Sequence, residues 1–122
     1  MKTCLVVDDS KVVRMVARKI VTELGFDVEE AADGQQALDL CQASLPDVVL
    51  LDWNMPVMDG LTFFKKLKDL PGGADVRVVF CTTENDIEHI QTALDLGADE
   101  YIMKPFDSEI IESKFSLAGL ID

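Results

Sequence analysis

Basic residues are scarce in this chain, and their scarcity excludes two classes of partner. Eleven lysines and arginines stand against twenty-three aspartates and glutamates, which leaves a formal net charge of −12. A surface of that charge repels the phosphates of nucleic acids and of anionic lipid headgroups. We therefore expect neither nucleic acid nor a membrane as a partner, and expect a protein instead.

Cysteine, histidine and long apolar runs are also scarce. The three cysteines, Cys4, Cys41 and Cys81, lie inside apolar runs without the spacing of metal ligands, so we interpret them as reduced core residues of a cytoplasmic protein. The only histidine, His89, is expected on an exposed face of a helix, with no His or Cys partner for a metal. The first residues lack a signal-peptide pattern, and no apolar run reaches membrane-spanning length.

The chain does have enough apolar residues for one core. It has 122 residues, 13.5 kDa and 48% apolar content, which fits a single compact domain. We expect one domain over residues 1–122, monomeric and without an attached output domain.

Short apolar runs alternate with helical patterns along the whole chain. The runs predict five strands, at residues 3–7, 26–30, 48–51, 76–81 and 100–103. Between and after them, a period near 3.6 predicts five helices: one that includes Val13 and Val16 on its apolar side and ends at Gly25, and others at about 34–44, 60–70, 86–96 and 107–117. Such alternation requires parallel pairing, so the fold class is a doubly wound α/β sandwich. Residues 71–73 are expected to form an exposed turn.

Polar residues follow or end four of these strands. Asp8 and Asp9 end strand 1, Asp52 ends strand 3, Thr82 ends strand 4 and Lys104 follows strand 5. Open parallel sheets bind ligands beyond the carboxyl ends of their strands. We therefore expect three carboxylates, a hydroxyl and an ammonium to meet in one pocket.

That set of groups can hold a divalent cation and a phosphoryl group. Three carboxylates repel one another unless a cation neutralises them, and Mg²⁺ prefers oxygen ligands. Asp52 is the candidate nucleophile, which would form an aspartyl phosphate. Lys104 would pair with the phosphoryl charge, and Thr82 would donate a hydrogen bond to it.

Each of these signals alone has a simpler structural explanation. Asp9-Ser10 and Asp59-Gly60 also fit the starts of helices. Thr82 also fits a strand-end hydroxyl bonded to backbone, and Lys104 a surface lysine. Only their joint placement at successive strand ends favours a site.

Four segments resemble the signature of response-regulator receiver domains, in particular the stand-alone chemotaxis members of that family. They are Val6-Val7-Asp8-Asp9, Asp52-Trp53-Asn54-Met55-Pro56-Val57-Met58-Asp59-Gly60, Thr82-Thr83-Glu84 and Lys104-Pro105-Phe106. The resemblance covers the whole chain and implies a flavodoxin-like sheet with strand order 2-1-3-4-5. It also implies a cis peptide bond before Pro105.

The resemblance assigns a role to each pocket residue. Asp52 would accept a phosphoryl group from a histidine kinase or a histidine phosphotransfer protein. Asp9, Asp52 and the backbone carbonyl of Asn54 would hold Mg²⁺, with Asp8 acting through a water, while Thr82 and Lys104 would contact the phosphoryl group. The chain would then be a phosphoacceptor that assists only its own phosphorylation and dephosphorylation, rather than an enzyme.

The resemblance also implies how phosphorylation is transmitted. Tyr101 would turn inward when Thr82 is drawn to the phosphoryl group, changing the face made by helix 4, strand 5 and helix 5. Ile90, Tyr101 and Lys114 could form the docking face for a downstream protein on that surface. The simpler alternatives are an edge tyrosine with its hydroxyl in water, a core isoleucine and a solvated lysine.

Helix 1 carries three basic residues along one side, Lys11, Arg14 and Arg18. This stripe could dock an acidic face of the phosphodonor, or it could be an ordinary solvated charged face.

Other function classes fit the residues less well. Magnesium-dependent phosphohydrolases that form an aspartyl phosphate usually carry a second aspartate two residues after the nucleophile, where this chain has Asn54. No nucleotide-binding P-loop is present, no phosphate loop for a flavin follows strand 1, and the complete pocket weakens a phosphorylation-independent scaffold. Chemotaxis, a phosphorelay intermediate and a regulator of another pathway remain open alternatives.

Overall fold

A computed structural model describes residues 2–83 and 87–121 of the chain. The strands of this part are β1 Thr3–Val7, β2 Asp27–Ala31, β3 Val48–Asp52, β4 Arg77–Thr82 and β5 Glu100–Met103. The α-helices are α1 Lys11–Glu23, α2 Gly34–Ala43, α3 Gly60–Asp69, α4 Ile87–Asp95 and α5 Ser108–Leu117, and a short 3₁₀ helix covers Gly73–Asp75. None of the helices in these two ranges is long and apolar enough to cross a bilayer.

All five strands pair in parallel, in the order β2-β1-β3-β4-β5, as expected. From β1 the chain first adds β2 on one flank of β1 and then crosses to add β3 on the other flank. The direction in which strands are added therefore reverses between β1 and β3. Because all strands run the same way, their carboxyl ends share one edge of the sheet, which we call the carboxyl edge. The opposite edge is the amino edge.

The sheet is covered on both faces. One apolar cluster packs α2, α3 and α4 against residues such as Val49 and Leu51, and a second packs α1 and α5 against residues such as Val48 and Leu50. These four residues of β3 are each no more than 1% exposed. The continuous apolar run of β3 therefore predicted a strand that is buried on both faces, and the structure confirms it.

Three strands differ from the prediction by one residue, and β2 and β4 also begin one residue later than expected. β2, β3 and β4 each end one residue later than expected, so Asp52 and Thr82 are the last members of their strands. Backbone pairing sets where a ladder ends, and polar side chains do not interrupt it. The two site residues are therefore fixed by sheet hydrogen bonds.

The bounds of the helices agree closely with the prediction. Three other points concern the start of helix 4, the exposure of one α1 residue and the turn before β4. The expected start of helix 4 at Asp86 lies outside the described residues. Val16, assigned to the apolar buried side of α1, is 43% exposed. The turn expected at residues 71–73 leads into the 3₁₀ helix, and Gly73 is buried so closely that a Cβ there would lie 1.8 Å from the carbonyl oxygen of Leu67.

Hydrogen-bonding caps begin four helices at the carboxyl edge. The caps Ser10, Asp33, Asp59 and Asp107 each accept a hydrogen bond from the backbone N–H three residues later. For Ser10 and Asp59 this confirms the simpler explanation given to them from sequence. These caps fix the helix starts beside the strand ends that carry the candidate site.

Candidate functional site

Three carboxylates converge at the carboxyl edge, as the sequence predicted. One oxygen from each of Asp8, Asp9 and Asp52 lies within 4.8 Å of the other two. Asp8 and Asp52 are buried, at 2% and 8% exposure, whereas Asp9 is exposed. The cluster therefore has a dry inner side and one acid that faces solvent.

Lys104 lies across the inner side of this cluster. Its Nζ donates hydrogen bonds to Asp8 Oδ2 at 2.6 Å and to Asp52 Oδ1 at 3.1 Å. Burial alone would lower the pKa of Lys104, but the hydrogen bond to Asp8 and the charge of Asp52 outweigh burial and raise it. Lys104 is therefore a charged partner of the acids rather than a solvated surface lysine. The peptide bond between it and Pro105 is cis, as expected.

Asp52 ionises less readily than an ordinary aspartate. Burial raises its pKa most, the negative charge of Asp8 raises it further and the ammonium of Lys104 lowers it, so that the pKa is raised to about 6. The charge of Lys104 therefore does not compensate for the burial of Asp52 and the charge of Asp8. A second positive charge would be bound favourably in this cluster.

The donor set fits Mg²⁺. Mg²⁺ takes oxygen ligands, keeps several waters and typically uses one or two carboxylates; Asp9 and Asp52 can supply these. Both oxygens of Asp8 are already engaged, Oδ1 by the backbone N–H of Ser10 at 2.9 Å and Oδ2 by Lys104. This arrangement suits an Asp8 that acts through a water. The ligand role of the Asn54 carbonyl, on the loop after β3, stays a prediction.

Thr82 is buried at the end of β4 but does not yet face the acids with its hydroxyl. Its Oγ1 donates to the carbonyl of Thr83 at 2.9 Å, so the simpler expectation of a strand-end hydroxyl bonded to backbone describes this structure. The carbonyl of Thr82 accepts a hydrogen bond from the backbone N–H of Lys104 at 2.7 Å. Thr82 must exchange its hydroxyl partner before it can contact a phosphoryl group.

The loop after Asp52 is held by two glycines at helix starts. Gly60 N–H donates to the Trp53 carbonyl at 2.9 Å, and a Cβ on Gly60 would lie 2.1 Å from the backbone oxygen of Asp52. Gly34 N–H donates to the Met58 carbonyl at 3.0 Å, where a Cβ would approach to 2.5 Å. Only glycine permits these approaches. The loop is thereby fixed by backbone contacts beside the candidate nucleophile.

The proposed output face is only partly at the surface. Tyr101 is half-buried, with the Lys114 ammonium 4.7 Å from its ring centroid, and Lys114 also pairs with Glu100 at 3.1 Å. Ile90, which we expected to share this face, is only 8% exposed. It lies on the same side of α4 as the buried Ala93, one turn away, so it belongs to the core in this structure.

The basic stripe of α1 is largely used within the chain. Arg14 and Arg18 pair with the two carboxylate oxygens of Glu30, at 3.2 Å and 2.8 Å. Hydrogen bonding from Arg18 is the main cause that lowers the pKa of Glu30. Arg14 also donates to the backbone carbonyl of Asp8 at 2.7 Å, a contact that the sequence did not indicate. These pairings weaken the docking stripe hypothesis, because the Glu30 carboxylate offsets part of the charge of Arg14 and Arg18 and holds both side chains.

An apolar groove instead runs beside the acid cluster. It lies between α1 and the segment after β5, and is lined by Val12, Val13, Val16, Thr83, Lys104, Pro105 and Phe106. Val12 and Val16 are 69% and 43% exposed. Because Lys104 belongs both to the groove and to the acid cluster, a molecule seated in the groove would adjoin Asp52. The helical pattern placed Val16 on the apolar side of α1 without showing that this side is partly exposed, so the groove was missed.

The chain matches the family described as the response regulator receiver domain over residues 4–116. It belongs to that family. Among curated relatives it is 40% identical over 105 residues to the response regulator MprA of Mycolicibacterium vanbaalenii, covering 86% of this chain and 45% of the relative. It is 36% identical over 110 residues to the probable transcriptional regulator ycf27 of Porphyridium aerugineum, covering 90% of this chain and 45% of the relative. This receiver domain thus spans less than half of the length of these relatives.

Solved structures give the same family assignment. The chemotaxis response regulator CheY4 of Vibrio cholerae superposes with a TM-score of 0.89 at 33% identity, covering 97% of this chain and 98% of that chain. The predicted receiver fold, with its strand order and five helices, is therefore confirmed.

Proposed function

We propose that this receiver domain accepts a phosphoryl group on Asp52 from a phosphohistidine of a histidine kinase or phosphotransfer protein. The observation that carries the proposal is the cluster itself. A buried, electrostatically strained Asp52 lies within hydrogen-bond reach of Lys104 and beside Asp8 and Asp9. A bound cation would offset the negative charge of such a site, and a phosphoryl group would give Lys104 oxygens to pair with.

The transfer is a displacement at phosphorus. A carboxylate oxygen of Asp52 forms the new P–O bond, the P–N bond to the donor imidazole breaks, and that imidazole takes up a proton. Mg²⁺, held by Asp9, Asp52 and the Asn54 carbonyl with Asp8 through a water, would supply positive charge to the crowded oxygens. Lys104 turns from Asp52 to the phosphoryl oxygens, and the Thr82 hydroxyl leaves the Thr83 carbonyl to donate to one of them. Attack by water later returns the carboxylate and inorganic phosphate.

The donor docks in the apolar groove in this proposal. Val12 and Val16 offer exposed apolar surface next to Lys104, whereas Arg14 and Arg18 are paired with Glu30. Apolar burial drives association more strongly than charges that are already paired within the chain.

Output follows from the exchange of partners at Thr82. When its hydroxyl moves toward the phosphoryl group, Tyr101 on the neighbouring strand turns inward and alters the surface around Lys114. A downstream protein recognises that change. The receiver domain acts as a phosphoacceptor and monomer in the cytoplasm, within chemotaxis, a phosphorelay or another pathway.

The first test is covalent labelling. With Mg²⁺ and a small-molecule phosphodonor, the intact mass should rise by one phosphoryl group in the wild type and not in Asp52→Asn. Asp47→Asn, at the amino edge, is the matched control and should be labelled like the wild type. Equal labelling of Asp52→Asn and wild type would refute the assignment. Capture of partners with and without a beryllofluoride mimic of the acyl phosphate would then identify the pathway.

A further inference from the structure

A histidine on α4 stacks on the residue that follows the candidate phosphoacceptor. The ring centroids of His89 and Trp53 are 4.6 Å apart and the rings are nearly parallel, at 7°. His89 is exposed, as expected from sequence, whereas Trp53 is 7% exposed and directly follows Asp52. The stack therefore joins the solvent side of α4 to the loop that carries the site.

Trp53 continues this contact into the core beside the proposed switch. Its ring lies 5.2 Å from that of Phe80, and Phe80 is the register partner of Tyr101 on β5. Trp53, Phe80 and Ala93 of α4 belong to one apolar cluster, against which Tyr101 packs from its partly buried position. A tyrosine that turns further inward needs room in this cluster. Because protein interiors are close-packed, α4 or its side chains must give that room.

The stack belongs to the resting arrangement of the site. The Thr82 hydroxyl is bonded to the Thr83 carbonyl, and Lys104 is shared between Asp8 and Asp52. In the proposed function, both groups exchange these partners when Asp52 is phosphorylated. Parallel rings lose contact when one slides or tilts, so the His89–Trp53 stack favours the position that α4 has in this state.

We propose that His89 is a positioning residue that stabilises the resting position of α4 by stacking on Trp53, and so opposes activation at Asp52. The inference rests on the proposed phosphoacceptor function. The stack would connect the loop after Asp52 directly to α4, in addition to the change that passes through Thr82 and Tyr101. By linkage, whatever breaks the stack, including a protein bound to α4, strengthens binding of the phosphoryl mimic.

The test compares variants of His89 in the binding of beryllofluoride with Mg²⁺, measured by calorimetry so that the readout does not depend on Trp53. His89→Ala should bind the mimic about two- to tenfold more tightly, the range that one aromatic contact supplies. His89→Phe keeps a flat ring and should bind like the wild type. Gln91→Ala is the matched control on α4, since the Gln91 side chain bonds to Asp95 of its own helix.

Emission of Trp53, the single tryptophan of the chain, reports the stack itself. It should change in His89→Ala before any ligand is added and resemble the wild type in Gln91→Ala. His89 is exposed, so its truncation opens no core cavity and folding is retained.

Two results would overturn the inference: unchanged or weaker binding of the mimic by His89→Ala, or equal tightening in His89→Phe and His89→Ala. Failure of the wild type and every variant to bind the mimic would instead refute the proposed function, and the inference with it.

Discussion

Two half-buried lysines at opposite edges of the sheet show how differently this domain treats charge. Lys68, at the amino edge, donates to the backbone carbonyl of Val76 at 2.7 Å, and burial lowers its pKa. Lys104, at the carboxyl edge, donates to two carboxylates, and its pKa is raised despite burial. The Lys68 ammonium bonds to backbone carbonyls, and the charges of Asp99 and Asp75 only partly offset its burial. The Lys104 ammonium meets an excess of negative charge.

The acids at the two edges differ in the same sense. At the amino edge, the Asp47 and Asp99 carboxylates accept hydrogen bonds from the backbone N–H groups of Thr3 and Val78, at 2.7 Å and 2.8 Å. These hydrogen bonds stabilise the starts of the strands and give both carboxylates a partner within the fold. At the carboxyl edge, burial raises the pKa of Asp52 most, and the negative charge of Asp8 raises it further. A cluster of acids whose negative charge is not balanced within the fold indicates a site for a ligand.

Removing each lysine tests the comparison most strongly. Lys104→Met should lower the free energy of unfolding by about 3 kcal/mol in the absence of Mg²⁺, because Asp8 and Asp52 lose their buried counter-charge. Lys68→Met should change it by less than about 1 kcal/mol, since it removes hydrogen bonds to backbone carbonyls and a contact with the Phe64 ring rather than a buried counter-charge. Denaturant unfolding at neutral pH measures both. Similar losses in the two variants would show that the edges do not differ as described.

Removing an acid should have opposite effects at the two edges. The pKa of Asp52 is raised to about 6, so the folded state binds this proton more tightly than the unfolded chain does. The associated stability is present at pH 4 and is lost as pH rises through about 6. Asp52→Asn should therefore raise the free energy of unfolding above pH 7 by about 2 to 3 kcal/mol without Mg²⁺.

Asp47→Asn should lower that free energy instead, because its carboxylate accepts a hydrogen bond from Thr3 at 2.7 Å. Mg²⁺ should stabilise the wild type above pH 7 and flatten its pH dependence, and it should stabilise Asp52→Asn less. Thermal unfolding at several pH values, with and without Mg²⁺, measures all of these effects. If Asp52→Asn proved less stable than the wild type above pH 7, this would contradict the statement that negative charge at the carboxyl edge is unbalanced.

Most of the fold could be predicted from sequence because its signals are local and repeated. The run Val48 to Leu51 predicted a strand buried on both faces, and Gly25 predicted the end of α1; the structure confirms both. The convergence of Asp8, Asp9, Asp52 and Lys104 followed from parallel topology, which places all strand ends together. The sequence left two alternatives open for Thr82 and for Ile90, because the hydroxyl partner of Thr82 and the burial of Ile90 depend on how neighbouring elements pack.

Contacts between distant elements account for what the sequence missed. Arg14 is a helix residue of ordinary appearance, yet it bonds to Glu30 on β2 and to the carbonyl of Asp8. Trp53, in the loop after β3, stacks on His89 of α4, and neither residue type predicts that the other will be its neighbour. Such pairs could be anticipated only after the register of the sheet and the rotation of each helix were known.

Docking of the donor should distinguish the apolar groove from the basic stripe. Val12→Asp places a charge on a 69% exposed position of the groove and should slow transfer from a phosphohistidine protein about tenfold, as loss of one apolar anchor does. Arg18→Gln should slow it less, because Arg18 is paired with Glu30 at 2.8 Å. Labelling by a small-molecule phosphodonor should be the same in both variants and the wild type. The reverse ranking would restore the basic stripe as the docking surface.

The smallest expected effect concerns Lys114, whose charge is shared between Glu100 and the ring of Tyr101. Lys114→Gln removes an ion pair of 3.1 Å and a cation 4.7 Å from the ring centroid, and should change the free energy of unfolding by less than about 1 kcal/mol, because both contacts are partly solvated. Lys104 bonds to two clustered acids, whereas Lys114 pairs with Glu100 among the residues that the structure describes. Its effect should instead appear in capture of the downstream protein by the beryllofluoride-bound domain, which should weaken while affinity for beryllofluoride stays that of the wild type. A change in beryllofluoride affinity in Lys114→Gln would mean that Lys114 acts on the site and not on the output surface.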